Sequence, residues 1–124
     1  MRLELIQVPV SDIDRAKSFY VEKMGFTADH DHQVSDELRF VQLTPPGSRC
    51  SIALTSGAHG MAPGSIEGLQ MVVDDAQASR DELAARGVPV SDVQVFPWGS
   101  FVFLSDPDGN RWALQALTHR EAPA

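Results

Sequence analysis

The chain has 124 residues, with ten Lys and Arg against seventeen Asp and Glu, so its formal charge is −7. This length suits one compact domain, and 43% hydrophobic with 22% charged residues is ordinary for a soluble globular protein. The single cysteine, Cys50, excludes a disulfide framework and a zinc site built from cysteines. The negative charge argues against nucleic acid as a partner, because neutralising phosphates requires a basic surface.

The sequence also lacks membrane and secretion signals. No apolar run approaches the roughly 18 residues of a membrane-spanning helix. The N-terminal stretch, MRLELIQVPV, is interrupted by Glu4 and Gln7 and has no cleavage site of small residues, so it does not match a signal peptide. We therefore expect a cytoplasmic protein without a membrane partner.

The first half of the chain predicts a strand, a helix and three more strands. Ser11 and Asp12 supply oxygens that can cap a helix, and apolar residues then recur at helical spacing until Gly25, a residue type that commonly ends helices. Pro45-Pro46-Gly47 predicts the turn of a hairpin. In chain order the predicted elements are strand 3–10, helix 13–24, and strands 26–31, 38–43 and 50–54.

The second half repeats this order after a segment rich in Gly, Ser and Pro. Asp74 or Asp75 caps the second helix, which ends at Arg86 and Gly87. Around this helix lie strand 68–73, an extended segment 88–96, and strands 101–104 and 112–117. We divide the single domain, residues 1–124, into a first module (1–55), a linker (56–66), a second module (67–118) and a tail (119–124).

The repetition has a fixed register. Four pairs of residues of the same type are 62 positions apart: Gly25 and Gly87, Pro45 and Pro107, Gly47 and Gly109, Arg49 and Arg111. The Val10-x-Asp12 pattern recurs 63 positions later at Val73-x-Asp75, so the first helix must accommodate one additional residue. Shared turn chemistry of short αβ units is the alternative, but repeats of this length typically are two copies of one structural unit. We predict an α+β fold of two βαβββ repeats.

Two segments resemble the vicinal oxygen chelate superfamily, which includes glyoxalase I, bleomycin resistance proteins and extradiol dioxygenases. VPVSDIDRAKSFYVEKMGF, residues 8–26, is similar to the opening of these proteins. SFVFLSDPDGNRWALQ, residues 100–115, is similar to their closing signature, in which a DPDG turn precedes the last strand. The resemblance implies two modules whose curved sheets of mixed and antiparallel strands form a cleft, and it implies a homodimer.

In relatives that use a metal, each module supplies two His, Glu or Gln ligands to that cleft. The corresponding positions here are Leu5, Ala53, Gly68 and Ala113, none of which can bind a metal. A shift of two residues along each strand keeps the same face. The shifted positions hold Gln7, Ser51, Gln70 and Gln115, a neutral set that binds a divalent ion poorly. We expect no metal or other cofactor at the family site.

The shifted positions are instead candidate ligand-binding residues. Gln7 and Gln70 are 63 positions apart and therefore equivalent in the repeat, and their amides can donate to and accept from a polar ligand. Alternatively, they satisfy buried backbone groups or each other. Ser51 and Gln115 are further candidates on the same faces.

Trp98, Phe101 and Arg39 complete the candidate set. Trp98 lies on a loop before a strand, where it can stack on a ligand or seal a dimer interface. Phe101 and Phe103 share strand parity and make one face aromatic, although core packing is the ordinary role of such residues. Arg39 suits an anionic ligand if it faces the cleft, and otherwise faces solvent or pairs with Glu37.

The histidines do not fall at the family positions. His30 and His32 lie in the sequence DHDH, where they share a face if the segment is extended and can then bind a transition metal. We favour a solvated loop for this segment. His59 lies in the linker, where a lid role is an alternative to an inert loop, and His119 lies in the tail.

The leading hypothesis is a metal-free, homodimeric protein that binds and sequesters a small molecule. It depends on a family scaffold in which none of the four metal-ligand positions holds a residue that can bind a metal. A glyoxalase I-like lyase or isomerase acting on a small oxygenated substrate is the alternative, but it needs a general base that the assigned positions do not supply. A third hypothesis is a dimeric interaction protein without a ligand.

Overall fold

A computed structural model of the chain describes residues 1–56 and 60–117. The chain forms two compact units. The first contains Met1–Ile66 together with the short segment Asp106–Asn110, and the second contains Glu67–Ser105 and the chain from Arg111 onward. Within the described residues, no helix is long and apolar enough to cross a membrane.

The first unit contains one four-stranded sheet and one helical region. Strands β1 and β4 are parallel, whereas β3 pairs antiparallel with both β4 and β2, so the strand order is β1-β4-β3-β2. Its elements are β1 (Leu5–Pro9), α1 (Ile13–Ser18) with a π-helical continuation (Phe19–Lys23), β2 (Thr27–Gln33), β3 (Arg39–Thr44) and β4 (Ser51–Thr55).

The π-helical continuation of α1 explains why equivalent residues are 63 positions apart before the first helix and 62 after it. Asp12 caps the helix, because its carboxylate accepts a hydrogen bond from the Arg15 N–H at 3.0 Å. The last turn, Phe19–Lys23, then closes with wider π-type hydrogen bonds. Such a turn arises when one residue is inserted into an α-helix. The additional residue predicted from the 63-residue spacing is therefore found in this turn.

The core of the first unit lies on one face of its sheet. Val8, Val41, Leu43 and Leu54 share this face and are almost fully buried. The ring of Tyr20, from the π-helical turn, is also fully buried and packs against Phe19 and Phe26. Burying side chains of this size contributes about 1.5–3 kcal/mol each.

The DPDG turn completes the first unit although it lies late in the sequence. The buried Asp106 carboxylate accepts the Tyr20 hydroxyl at 2.7 Å and the backbone N–H groups of residues 108, 109 and 110 at 2.9–3.0 Å. Asn110 is fully buried; its amide donates to the Pro9 carbonyl at 2.9 Å and accepts the Ile66 N–H at 3.0 Å. The residues between β7 and β8 are thus held by first-unit partners.

The second unit repeats the topology of the first. Its strand order is β5-β8-β7-β6, with β5 parallel to β8 and the other pairs antiparallel. The Asp75 carboxylate caps the helix by accepting the Ala78 N–H at 3.0 Å. The elements are β5 (Leu69–Val72), α2 (Ala76–Ala85), β6 (Gln94–Phe96), β7 (Gly99–Ser105) and β8 (Arg111–Leu117). Two βαβββ repeats with sheets of mixed strand direction confirm the predicted fold class.

The strand predicted over residues 26–31 is found as β2, whereas the loop favoured for the DHDH segment is wrong. The DHDH segment is part of β2, which extends to Gln33 and pairs with β3 along its length. Every residue of β2 is exposed, so no apolar alternation marks the full length of the strand in the sequence. His59, the residue with a possible lid role, lies outside the described residues together with Gly57 and Ala58. The tail, residues 119–124 with His119, lies outside them as well.

Candidate functional site

The second unit presents an aromatic face on its sheet. Cross-strand pairing places Phe101 opposite Gln115, Phe103 opposite Ala113, and Gln70 beside Ala113, so these side chains share one face. The alternate residues, such as Val102, Leu104, Trp112 and Leu114, are buried on the other face. Helix α2 packs against β7 and β8.

Four aromatic rings are in series on this face. Phe96 stacks on Trp98 with ring centroids 5.4 Å apart and a 9° interplanar angle, and it meets Phe101 edge-on at 5.6 Å. Phe101 in turn stacks on Phe103 at 6.0 Å and 6°. Phe101 is buried, whereas Trp98 is 61% and Phe103 40% exposed. The series therefore has a buried centre and two open ends with aromatic faces available to a ligand.

An amide pair lies beside the rings. The Gln70 amide N–H donates to the Gln115 carbonyl oxygen, and the Gln115 amide N–H donates to the Trp98 backbone carbonyl at 3.3 Å. Gln115 is buried, and Gln70 is exposed. The sequence left open whether Gln70 binds a ligand, buried backbone or Gln7, and the partner seen in the described residues is Gln115. The second amide hydrogen and the carbonyl oxygen of Gln70 can also bond to a ligand.

Gly99 makes this arrangement sterically possible. Its φ of +155° lies in a region that side chains disfavour, and a Cβ atom there would lie 2.7 Å from the Ala116 carbonyl oxygen and 3.1 Å from the Gln115 amide nitrogen. Any other residue would have to displace the Ala116 backbone and would crowd the Gln115 side chain. The glycine thus positions both the amide pair and the Trp98 loop.

The first unit has a cavity of about 490 Å³ at the ends of β1 and β4 and the start of β3. This volume lies in the range of about 300–1,000 Å³ typical of small-molecule sites. Gln7 is half-buried at its edge, opposite Ala53 on the neighbouring strand. The hydroxyl oxygen of Thr55 is buried without a hydrogen-bond partner in the described part of the chain. The lining residues include Gln7, Ile13, Asp36, Glu37, Leu38, Phe40 and Thr55.

Arg39 also lines this cavity, but its charge is already compensated. The guanidinium donates to Asp31 at 2.8 and 2.9 Å and to Asp14 at 2.7 Å. The hydrogen bonds from Arg39 and Lys17 hold the pKa of the Asp31 carboxyl well below its usual value. The alternative pairing with Glu37 is replaced by these two aspartates. Arg39 therefore braces α1 against β2 and β3.

Ser51 lies on the same face of the first sheet as Gln7. It is buried at the start of β4, and its hydroxyl is 2.6 Å from that of Thr44 on β3. Of the predicted site residues, Gln70, Trp98, Phe101 and Gln115 come together in the second unit. Gln7, Arg39 and Ser51 lie in the first unit, and only Gln7 and Arg39 reach its cavity.

Sequence reasoning missed Phe96 and Thr55 as site residues. Phe96 precedes a two-residue turn, and its position opposite Gly99 places it next to Trp98 and Phe101. The signal was the alternation of residues across the β6–β7 hairpin. Thr55 has no comparable signal, because its role depends on where the first sheet ends.

The family metal positions do not fit a metal ion. Leu5 and Ala53 in the first unit, and Gly68 and Ala113 in the second, have no side-chain donor. At the shifted positions, Ser51 is bonded to Thr44 and Gln115 to Gln70. Within residues 1–56 and 60–117, no group of three or more His, Cys, Asp and Glu side chains is placed to hold a metal.

Comparison with known proteins places the chain among proteins of the same fold. TnmS3, described as an antibiotic binding protein from Streptomyces sp. CB03234, is 39% identical, with a TM-score of 0.88 over 95% of this chain and 97% of that one. A glyoxalase/bleomycin resistance protein from the same organism is 40% identical, with a TM-score of 0.82 over 92% and 99% of the two chains. The uncharacterized protein YetH of Bacillus subtilis (strain 168) is 28% identical over 114 residues, which are 89% of this chain and 93% of YetH.

A family model also matches the chain, and it describes a whole superfamily. It is described as the glyoxalase/bleomycin resistance protein/dioxygenase superfamily and matches residues 2–114, which include both βαβββ repeats and the DPDG turn. The chain belongs to the glyoxalase/bleomycin resistance protein/dioxygenase superfamily.

Proposed function

We propose that this protein binds and sequesters a small molecule with a flat aromatic ring system, without a metal and without transforming it. The observation that carries the proposal is the aromatic face of the second unit, where Phe96 and Trp98 stack with their rings nearly parallel. A flat ligand can extend such a stack, since aromatic pairs add about 0.5–1.5 kcal/mol beyond the area they bury.

The polar groups near the rings match a ligand without net charge at its ring system. Gln70 and Gln115 are neutral, and the rings beside them carry no formal charge. An apolar surface with a few placed hydrogen-bonding groups is the usual composition of a small-molecule site. The amide pair would orient a ligand carbonyl or hydroxyl while the rings supply contact area.

The comparisons support the same class of function. TnmS3, similar over nearly its whole length, is described as an antibiotic binding protein. We extend that description to this chain as part of the proposal, with an antibiotic as the ligand class. The absence of donors at the four family metal positions supports binding without chelate chemistry.

The two tryptophans make the proposal directly testable. Trp98 is 61% exposed and Trp112 only 4%, so a ligand that stacks on the aromatic face changes the emission of Trp98 while Trp112 is a buried reference. We would titrate the protein with daunorubicin, which has a flat ring system, and with bleomycin. Kanamycin, which has no aromatic ring, is the negative probe. Saturable quenching at one ligand per chain by either aromatic antibiotic is the expected result.

Variants on the two faces of β6 provide a matched comparison. Phe96 lies on the aromatic face, whereas its neighbour Val95, 77% exposed, lies on the other face. Phe96→Ala should weaken binding in calorimetry by at least about tenfold, the equivalent of 1.4 kcal/mol. Val95→Ala should leave the affinity unchanged. Equal effects of the two variants, or kanamycin binding as well as the aromatic probes, would contradict the proposed site.

The same samples distinguish sequestration from catalysis. Mass spectrometry of the ligand after prolonged incubation should return it unchanged. Recovery of a transformed product would favour a lyase or isomerase instead. Elemental analysis of the protein that showed one metal ion per chain, with activity lost on chelation, would likewise overturn the metal-free proposal.

The proposal includes a homodimer located in the cytoplasm. Exposed apolar residues on the second unit, among them Val72 and Phe103, are compatible with either a ligand or a partner copy. Analytical ultracentrifugation of the parent and of Trp98→Ala separates these roles. A dimer that persists in Trp98→Ala while the aromatic probes lose affinity supports ligand binding. Dissociation of the dimer with no antibiotic bound by the parent would indicate an interaction protein.

A further inference from the structure

His30 and His32 lie side by side on the open face of an edge strand. Both belong to β2, where residues two apart project from the same face. Their ring centroids are 5.7 Å apart with a 33° interplanar angle, and both residues are exposed. β2 is the last strand in the order β1-β4-β3-β2, so only β3 pairs with it in this sheet.

The spacing of the two rings suits a shared metal ion. Imidazole nitrogens bind late transition metals at about 2.0–2.1 Å. Two rings bound to one ion at that distance have centroids on the order of 5–6 Å apart, which includes the observed value. Both side chains are exposed, so they can turn toward a shared ion.

The surroundings leave the pair open. His30 lies beside the Phe40 ring, with centroids 6.4 Å apart, and both histidines are exposed. Asp31, between the two histidines in sequence, points to the other face and is bonded to Arg39 and Lys17. The Asp29 carboxylate accepts the Thr44 hydroxyl. The neighbouring acidic groups therefore have partners of their own, and the imidazoles face solvent.

We propose that His30 and His32 form a bidentate surface site for a divalent late transition metal ion, with Cu²⁺ bound more tightly than Ni²⁺ or Zn²⁺. This order of affinities is the one expected for two neutral nitrogen ligands. Along the divalent first-row metals, affinity rises from Ni²⁺ to Cu²⁺ and falls again at Zn²⁺. This site lies on β2. The family metal positions are elsewhere, at Leu5, Ala53, Gly68 and Ala113. It is independent of the proposed sequestration function.

The test is a titration of untagged, metal-free full-length protein with CuCl₂, NiCl₂ and ZnCl₂ by calorimetry. We expect one Cu²⁺ per chain and nitrogen hyperfine structure in the electron paramagnetic resonance spectrum. His30→Ala and His32→Ala should each weaken Cu²⁺ binding on the order of 100-fold, because each removes the second ligand that the strand holds at high effective concentration. Circular dichroism should show both variants folded, since the side chains are exposed.

His59→Ala and His119→Ala are the matched controls, because they remove the other two histidines of the chain. Both should keep the parent affinity for Cu²⁺. Loss of binding in either control, or parent affinity in the double variant of His30 and His32, would overturn the proposal. A stoichiometry well below one per chain would do so as well.

Discussion

Tyr20 has two distinct roles in the core of the first unit. Its ring packs against Phe19 and Phe26 with no exposed surface, and its hydroxyl donates to the buried Asp106 carboxylate at 2.7 Å. Hydrogen bonds to charged groups contribute about 1.5–3 kcal/mol to stability. The hydroxyl therefore connects the helical region to the DPDG turn.

Tyr20→Phe separates these two roles, because it keeps the ring and removes the hydroxyl. We expect the free energy of unfolding to fall by about 1.5–3 kcal/mol, measured by urea denaturation. Asp106 keeps its bonds to the backbone and to Asn110, so the variant should still fold. A change below about 0.5 kcal/mol would show that the hydroxyl bond contributes little.

Asp31 makes an acid-sensitive contribution to the stability of the first unit. The hydrogen bonds from Arg39 and Lys17 lower the pKa of its carboxyl in the folded protein below the ordinary 3.8. A lowered folded-state pKa stabilises the protein above the unfolded-state value, and this stabilisation is lost as the pH falls through the folded-state value. The stability of the parent should therefore decrease progressively from about pH 5 downward.

Asp31→Asn removes that contribution. The variant should be less stable than the parent at pH 7, and the gap between their urea midpoints should narrow as the pH is lowered toward 3. Asp36→Asn, which changes an exposed carboxylate on the β2–β3 connection, is the control. A gap that stays constant with pH would mean that Asp31 acts through packing and not through its charge.

At the residue scale, strand parity predicted more than residue type did. Parity correctly placed Phe101 and Phe103 on one aromatic face of their strand. The environment of Arg39 was not predictable, because its partners Asp14 and Asp31 come from a helix and another strand. Ion pairs between elements depend on tertiary packing, which a single sequence without the fold does not reveal.

At the scale of elements, turns and caps were the most predictable features. Asp12 and Asp75 cap their helices as expected, and the 63-residue spacing anticipated the inserted residue of the π-helical turn. β2 received two conflicting predictions, a strand over 26–31 and a loop at DHDH, because its exposed sequence, TADHDHQ, offers no hydrophobic pattern. Its strand conformation follows from pairing with β3, which is more buried.

Gly64 provides a test of close packing between the linker and the DPDG turn within the first unit. A Cβ atom at this position would lie 2.0 Å from the Asp108 carbonyl oxygen, and the residue has a φ of +78°. Gly60 has a similar φ of +72°, but a Cβ atom there would have no neighbour within 4 Å among the described residues. The two glycines therefore share the backbone requirement and differ in the space available.

Gly60→Ala should cost about 1–2 kcal/mol of stability, the ordinary penalty for a left-handed residue with a side chain. Gly64→Ala should cost about 1–3 kcal/mol more, because the turn must also move away from the new methyl group. Thermal or urea unfolding of both variants measures the difference. Equal losses would show that the turn shifts freely and that the contact does not constrain it.

At the scale of the whole molecule, the two units are joined by the course of the chain itself. The strand β7 ends at Ser105, the next five residues belong to the first unit, and β8 resumes in the second unit at Arg111. Unfolding of the first unit would release the turn that aligns β7 with β8. We infer that the loss of order in one unit is transmitted to the other through this turn.

Asn110→Ala tests this transmission. The substitution removes the partner of the Ile66 N–H, at about 1–3 kcal/mol, whereas the Pro9 carbonyl loses the Asn110 amide but still accepts the Gly64 N–H at 3.1 Å. Hydrogen exchange should become faster in the first unit and also in the amides that pair β7 with β8. Ser48→Ala, in the equivalent turn of the first repeat, should leave β7 and β8 protected. Faster exchange confined to the first unit would contradict the inferred coupling.

The shared turn also determines how the protein could be divided. A cut after Ile66 separates the two repeats at their sequence boundary, yet the piece that begins at Glu67 keeps Asp106 and Asn110, which complete the other piece. The first fragment would therefore lack the turn that binds Tyr20 and Pro9 until the second fragment supplies it. This arrangement suits a split reporter, because the hydrogen bonds from Tyr20 to Asp106 and from Asn110 to Pro9 form only when the complement is present.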